Sequence, residues 1–286
     1  MERLGDPAGP TDKLMKPRIG ITLGDPAGIG PEVVMKALAS GKLDRRYDYE
    51  VIGNPRAPRR DARKWIVNGA KRCLAGELAA LVTGPIIKEI VEPWPGQTEL
   101  LANLAGTQKF AMLLAAGNLR VALVTTHQPV SKIAGLITRK KIVEVVELTR
   151  MFCQQVGIRK PRIAVAGLNP HAGEGGLLGH EEQRIIAPAV KQAQAVGPCS
   201  ADTVFYRALH GEFDAVVAMY HDQGLGPFKL VAFDTGVNVT LGLPFVRTSP
   251  DHGTAMDIAG KNMARPEGMI AAINLAAKLA KRPRKK

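Results

Sequence analysis

Short, nearly continuous apolar runs recur along the chain, each closed by a Gly- or Pro-rich loop and followed by a stretch with helical spacing. Strands read at residues 18–22, 49–53, 79–83, 120–126, 162–167, 214–219 and 237–241, and helices at 31–40, 62–76, 98–105, 139–156, 181–195, 202–210 and 266–281. Strands that are apolar on both faces need cover on both faces. The alternation therefore predicts an α/β fold, a parallel sheet between two helical layers. Right-handed crossovers then gather the strand-to-helix loops at one sheet edge, where α/β proteins bind ligands. Residues 53–64 (GNPRAPRRDARK) read as a surface loop, and Pro93-Trp94-Pro95-Gly96 as a hinge between subdomains.

The loops at that edge carry the chemistry. The first, GDPAGIGPE at 24–32, matches neither the dinucleotide nor the P-loop fingerprint, and Pro31 suits the first turn of a helix. As a tight turn or as a direct ligand contact it reads equally well. GDPAG also occurs at 5–9, where no strand–helix pattern follows, so it is an echo and not a repeat.

Three of the six histidines fall just after a strand: His127 in TTHQP, His171 in LNPHAGEGG and His221 in MYHDQG. One such histidine is an ordinary structural residue; three at equivalent strand ends suit a divalent metal with positions left open. Asp202 or Asp222 could support those rings or act as a fourth ligand. Lys229 and Arg247 are cations in apolar stretches, near Asn238 and the run Asp251-His252-Gly253-Thr254-Ala255. Unpaired charge there is expensive, so either acidic neighbours or an anionic ligand must meet them.

Composition narrows the classes. No apolar run approaches a membrane span, and the acidic residues Glu2, Asp6 and Asp12 argue against a secretory leader. Cys73, Cys153 and Cys199 are far apart and form no CxxC, so a disulfide framework is not expected and a reducing cytoplasm is. Six cations from Lys278 onward supply almost half of the net charge of +13, which reads as a solvated end. With aromatics at 5% and no basic–aromatic interleaving, specific nucleic-acid binding is not expected. A positive field does suit a small, multiply anionic substrate.

At these residues the chain resembles the 4-hydroxythreonine-4-phosphate dehydrogenase family of vitamin B6 biosynthesis. The motifs are GDPAGIGPE (24–32), VTGPIIK (82–88), TTHQP (125–129), LNPHAGEGG (168–176), ADT (201–203), MYHDQG (219–224), GVNVTLGLPFVRTSPDHGTA (236–255) and DIAG (257–260), in collinear order. The resemblance implies two α/β/α domains of the isocitrate/isopropylmalate dehydrogenase type, with an active site in the interdomain cleft. The domains would be 17–92 plus 246–286, and 93–245 with a homodimer interface, while 1–16 and 281–286 would be disordered.

It further implies an NAD-dependent enzyme (NADP being possible) with a divalent metal, Zn, Mg, Co or Ni, on His127, His171 and His221. The reaction would be oxidation of 4-phosphooxy-L-threonine followed by decarboxylation. Thr98, Lys229, Asn238 and Arg247 would contact substrate, with Lys229, or secondarily Asp202, moving the proton. Asp251, His252, Gly253, Thr254, Ala255 and Asn262 would hold the adenosine end of the cofactor. Two departures stand out. The family's GHTE reads Gly96-Gln97-Thr98-Glu99 here, placing an amide at a substrate-binding position, and the stretch between Gly53 and Lys64 is tens of residues short. Both leave open a sister activity on 4-phospho-D-threonate or 4-phospho-D-erythronate. A related dihydrodiol dehydrogenase for terephthalate breakdown is disfavoured by the presence of Asn238 and Arg247, and a non-catalytic relative is the third alternative.

Overall fold

The computed structural model describes residues 16–280. The disorder expected for the two ends, the GDPAG copy at 5–9 and most of the basic tail lie outside those residues, Lys16 and Lys278 excepted. In chain order the elements are β1 (Arg18–Thr22), α1 (Gly30–Ala39), β2 (Asp48–Ile52), α2 (Asp61–Leu74), β3 (Ala80–Thr83), α3 (Gln97–Leu104), β4 (Ala111–Ala116), β5 (Leu119–Leu123), α4 (Ile133–Leu136) and α5 (Arg139–Gln155). Then follow β6 (Ile163–Ala166), α6 (Ala187–Gln192), β7 (Val196–Cys199), α7 (Ala201–Leu209), β8 (Ala215–Ala218), α8 (His221–Ala232), β9 (Val237–Leu241), β10 (Val246–Pro250) and α9 (Glu267–Leu279).

The strands form one sheet in the order β2-β1-β3-β10-β9-β4-β5-β8-β6-β7. The expectation of an α/β fold holds, but that of a parallel sheet is corrected. β9 runs antiparallel to both β10 and β4, and β4 antiparallel to β5. The cause is local: Gly117 and Asn118 close the β4–β5 connection with Gly117 at φ 52°, and so short a link can only reverse the chain. β10 lies in register with β3 on one side and β9 on the other, pairing Ser249 with Asn238. This seam joins the four strands drawn from 17–92 and 246–286 to the six drawn from 93–245.

Side-chain alternation along the strands splits the core by face. Ile19, Ile21, Ala80, Val82, Leu113 and Ala122 face one continuous cluster beneath α1, α5 and α9. On the opposite face the apolar residues form two groups. Leu81 packs with Ile66 of α2 and Leu100 and Leu101 of α3, while Leu114, Val121 and Leu123 pack with Leu225 and Phe228 of α8. Between the two groups the face is left open. Sequence reasoning placed no helix at 221–232, because Gly224, Gly226 and Pro227 all disfavour one. Packing overrides propensity here: a Cβ on Gly224 would lie 2.8 Å from Leu123 and 2.9 Å from Val121, so the glycine lets α8 settle onto the sheet.

Candidate active site

The opening between α3 and α8 is a cleft of about 350 Å³. A larger cavity of about 820 Å³ is lined, among the described residues, by neither histidine nor carboxylate. Into the smaller cleft the structure brings Gln97, Thr98, His127, His221, Lys229, Asn238, Arg247, Asp251, His252 and Gly253.

Each arrives by a local device. His221 is the first residue of α8, and that helix start is pinned by Gln223. Its Oε1 accepts from the Met219 amide at 2.6 Å and its Nε2 donates to the Gly167 carbonyl at 2.7 Å, tying the ends of β8 and β6 together. His221 Nδ1 donates to Asp222 Oδ1 at 2.7 Å; a carboxylate only accepts, so the neutral ring keeps its lone pair on Nε2. His127 follows β5, its ring centroid 5.6 Å from that of His221. Packing around the His127 ring, and then the nearby Lys88 ammonium, hold its pKa below the ordinary imidazole value, so the neutral form prevails.

Arg247 stands on the β9–β10 seam, fully enclosed. Nη2 donates to Thr83 Oγ1 at 2.6 Å and to Gln97 Oε1 at 3.3 Å, and Nη1 to Thr240 Oγ1 at 3.0 Å. Burial pulls its pKa down to about 10, opposed by the Glu99 carboxylate, so the guanidinium stays charged at neutral pH. Its Nε, along with Asn238 Oδ1, Glu99 Oε2 and His252 Nε2, is buried without a partner among the described residues. Buried polar groups are paired in folded proteins, so four orphaned atoms around one cleft mark a place built for a polar ligand. On the far wall Lys229 Nζ lies 3.6 Å from Asp251 Oδ2, and burial raises the Asp251 pKa despite that ammonium.

Comparison with known proteins identifies the family. Residues 48–276 match the family model described as pyridoxal phosphate biosynthetic protein PdxA. A 4-hydroxythreonine-4-phosphate dehydrogenase from Geobacter metallireducens is 42% identical, the match covering 93% of this chain and 96% of that protein. The chain belongs to the PdxA family.

A D-threonate 4-phosphate dehydrogenase from Pectobacterium atrosepticum is 40% identical over 92% of this chain and 99% of its own length. Among solved structures, a 4-hydroxythreonine-4-phosphate dehydrogenase from Klebsiella pneumoniae superposes with a TM-score of 0.78 at 37% identity, covering 93% of this chain and 100% of that one. A β-decarboxylating dehydrogenase from Thermococcus kodakarensis shares the fold at 18% identity and a TM-score of 0.55, over 92% of this chain and 82% of that one. This PdxA-family chain is thus a dehydrogenase with the fold of that class. Its alignment with the Geobacter relative runs over 326 positions yet takes in 93% of 286 residues, so the relative carries several tens of residues without a counterpart here.

Within one PdxA-family chain the remaining sequence-predicted residues lie apart from the cleft lining. His171 is exposed on the 170–176 loop, and Asp202 is exposed in the first turn of α7, which packs on that loop. Among the described residues no three His, Cys, Asp or Glu side chains gather as a metal-binding group. Thr254 is a backbone anchor, its carbonyl accepting from the Ile29 amide at 2.9 Å. Ala255 and Asn262 adopt positive φ, 39° and 59°, and the Asn262 carbonyl accepts from Lys36 Nζ at 2.9 Å. Sequence reasoning gave no role to Lys88 or Glu99, which line the cleft. Both sit inside motifs already singled out, VTGPIIK and GQTE, and a charged residue within a Gly-rich loop motif was the available signal.

Proposed function

We propose that this chain oxidises the C3 hydroxyl of 4-phosphooxy-L-threonine with NAD and that the resulting β-keto acid loses carbon dioxide. The observation that carries the reading is the fully buried Arg247, held among the described residues by neutral acceptors only and with Nε free of them, beside the orphaned Asn238 Oδ1. A cation so placed awaits an anionic group, and a phosphate or carboxylate supplies two acceptors to it. Thr98, whose Oγ1 is 3.4 Å from Thr240 Oγ1, and Asn238 orient the polar groups of the same ligand. Lys229 Nζ, beside Asp251, is assigned the proton transfers: as the free amine it would take the hydroxyl proton, and as the ammonium so formed it would return that proton to the carbon left by decarboxylation. Asp202 is the weaker candidate for that role.

The donor set fits a divalent metal: two imidazoles face each other across the cleft mouth, one kept neutral by its surroundings and one oriented by a carboxylate. His127 and His221 would hold it with His171, and the ion, one of Zn, Mg, Co or Ni, supplies Lewis acidity at the reacting oxygen. Because His171 and Asp202 are exposed and apart in one chain, we assign them to the site of a second copy in a two-fold homodimer. Leu230, Val231 and Phe233, exposed at and just beyond the end of α8, supply apolar surface for that contact. For the dinucleotide, which supplies the hydride acceptor, residues 251–255 and Asn262 hold the adenosine end, with NAD preferred and NADP the variant. Three separate, buried free cysteines support a reducing, cytoplasmic setting, and no helix among the described residues is long and apolar enough to cross a membrane.

The second reading, oxidation of 4-phospho-D-threonate or 4-phospho-D-erythronate, is favoured by Gln97, an amide in the cleft. NADH formation across the three phospho-acids, with and without divalent metal, separates them. The proposal predicts the highest kcat/KM for 4-phosphooxy-L-threonine and loss of rate with chelator. A higher value for either D-acid makes the second reading the function, and no NADH from any of them removes both.

A further inference from the structure

Gln97 has both ends of its amide engaged inside the protein. Nε2 donates to the Gly84 carbonyl at 3.1 Å and Oε1 accepts from Arg247 Nη2 at 3.3 Å. Flipping the amide would set oxygen against the carbonyl and NH₂ against the guanidinium, so the contact at Gly84 dictates which end Arg247 meets. The other holders of Arg247, Thr83 and Thr240, come from β3 and β9; Gln97 alone reaches it from α3, across the cleft wall.

We propose that Gln97 is a positioning residue that acts through Arg247 and makes the cleft a receptor for a phosphorylated acid. A neutral acceptor fixes the guanidinium without neutralising it, so the full charge and the free Nε–H are kept for the ligand anion. A carboxylate at position 97 would pair with Arg247 and cancel that charge. A neutral imidazole also carries one donor and one acceptor nitrogen, but once protonated it has no acceptor left for the guanidinium and repels it. The assignment rests on the reading above that the cleft takes an anionic phospho-acid, and it deepens that reading by naming what tunes the anion site.

The test uses the full-length enzyme and two probes, inorganic phosphate and the phospho-acid substrate. Phosphate affinity is read from thermal-shift titration of the wild type, Gln97→Glu and Gln97→Met. Gln97→Glu is expected to weaken phosphate binding by roughly tenfold or more and to raise KM by a similar factor, with a much smaller change in kcat. Gln97→Met keeps the charge and loses one anchor, so its phosphate affinity falls between the other two, which keeps the test decisive should Gln97→Glu not fold. Phosphate bound equally by wild type and both variants, or kcat falling as far as KM rises, overturns the assignment. Phosphate binding that weakens as expected in an enzyme that turns over none of the phospho-acids leaves the positioning role standing and removes only the substrate.

Discussion

Lys229 Nζ donates to the backbone carbonyl of Asp251 at 3.1 Å and lies 3.6 Å from the same residue's Oδ2. The ammonium is therefore held by the loop that closes the cleft, and the carboxylate next to it is largely shielded from water. Lys229→Met removes the group to which the proposal gives the proton transfer, so kcat is expected to fall by about a hundredfold or more with the fold unchanged, as read by steady-state kinetics and circular dichroism. Activity within tenfold of wild type would assign the proton to another group.

The same pair predicts a divergence between stability and activity. Burial raises the Asp251 pKa, so the folded state holds that proton more tightly than the unfolded chain does. Such a group adds stability at low pH, and the contribution is lost as pH climbs through the raised value; at neutral pH the ionised carboxylate is a cost. Asp251→Asn is expected to melt at or above the wild-type temperature at about pH 7.5, with the gap closing toward about pH 4.5. Its kcat/KM falls. A variant that melts clearly below wild type at the higher pH would contradict the sign.

The architecture was legible wherever local pattern and packing agree. The strands around Ile19–Ile21 and Val216–Val217 are apolar on both faces and could be nothing but buried. β4 escaped notice because its run, Ala111 to Ala116, has no β-branched residue, and β10 because Arg247 and Pro250 punctuate it. Only the tertiary seam makes a strand of Val246–Pro250, with β3 on one side and β9 on the other. At the site, His127 and His221 were readable as imidazoles at strand ends, and Lys229 and Arg247 as cations in apolar stretches. The partnership of Gln97 with Gly84 was not, since thirteen residues and a turn separate them and no periodicity links the two.

The 251–255 loop, to which the proposal gives the adenosine end, is braced by a glycine contact. A Cβ on Gly28 would lie 2.8 Å from the Thr254 carbonyl oxygen and 3.0 Å from its Cβ. Gly28→Ala must therefore push Thr254 and the 251–255 run outward, an overpacking cost of about 1–3 kcal/mol. KM for NAD is expected to rise several-fold more than KM for the phospho-acid. Unchanged NAD kinetics, or a complex showing the dinucleotide on residues 24–30 away from His252, would overturn the cofactor assignment.

Metal removal and assembly are tested together. Alanine at His127, His171 or His221 is expected to abolish metal-dependent turnover and to lower bound metal in the purified protein, with the fold intact. Sedimentation is expected to show a two-fold dimer as the active species, and Phe233→Asp, at an exposed apolar position beside α8, to shift it toward an inactive monomer. Full activity in a monomer, or any one histidine variant active in metal-free buffer, would end the shared three-histidine site.

The central claim, that Arg247 receives the anion of a hydroxy acid oxidised and decarboxylated in this cleft, is tested by one measurement. NADH and carbon dioxide are quantified together from 4-phosphooxy-L-threonine with divalent metal present, for the wild type and for Arg247→Met. The account predicts the two products in equal amounts from the wild type. For the variant it predicts a KM raised by about 10- to 150-fold, the span of a lost charged hydrogen bond worth roughly 1.5–3 kcal/mol. NADH without carbon dioxide, or an unchanged KM in Arg247→Met, would contradict it.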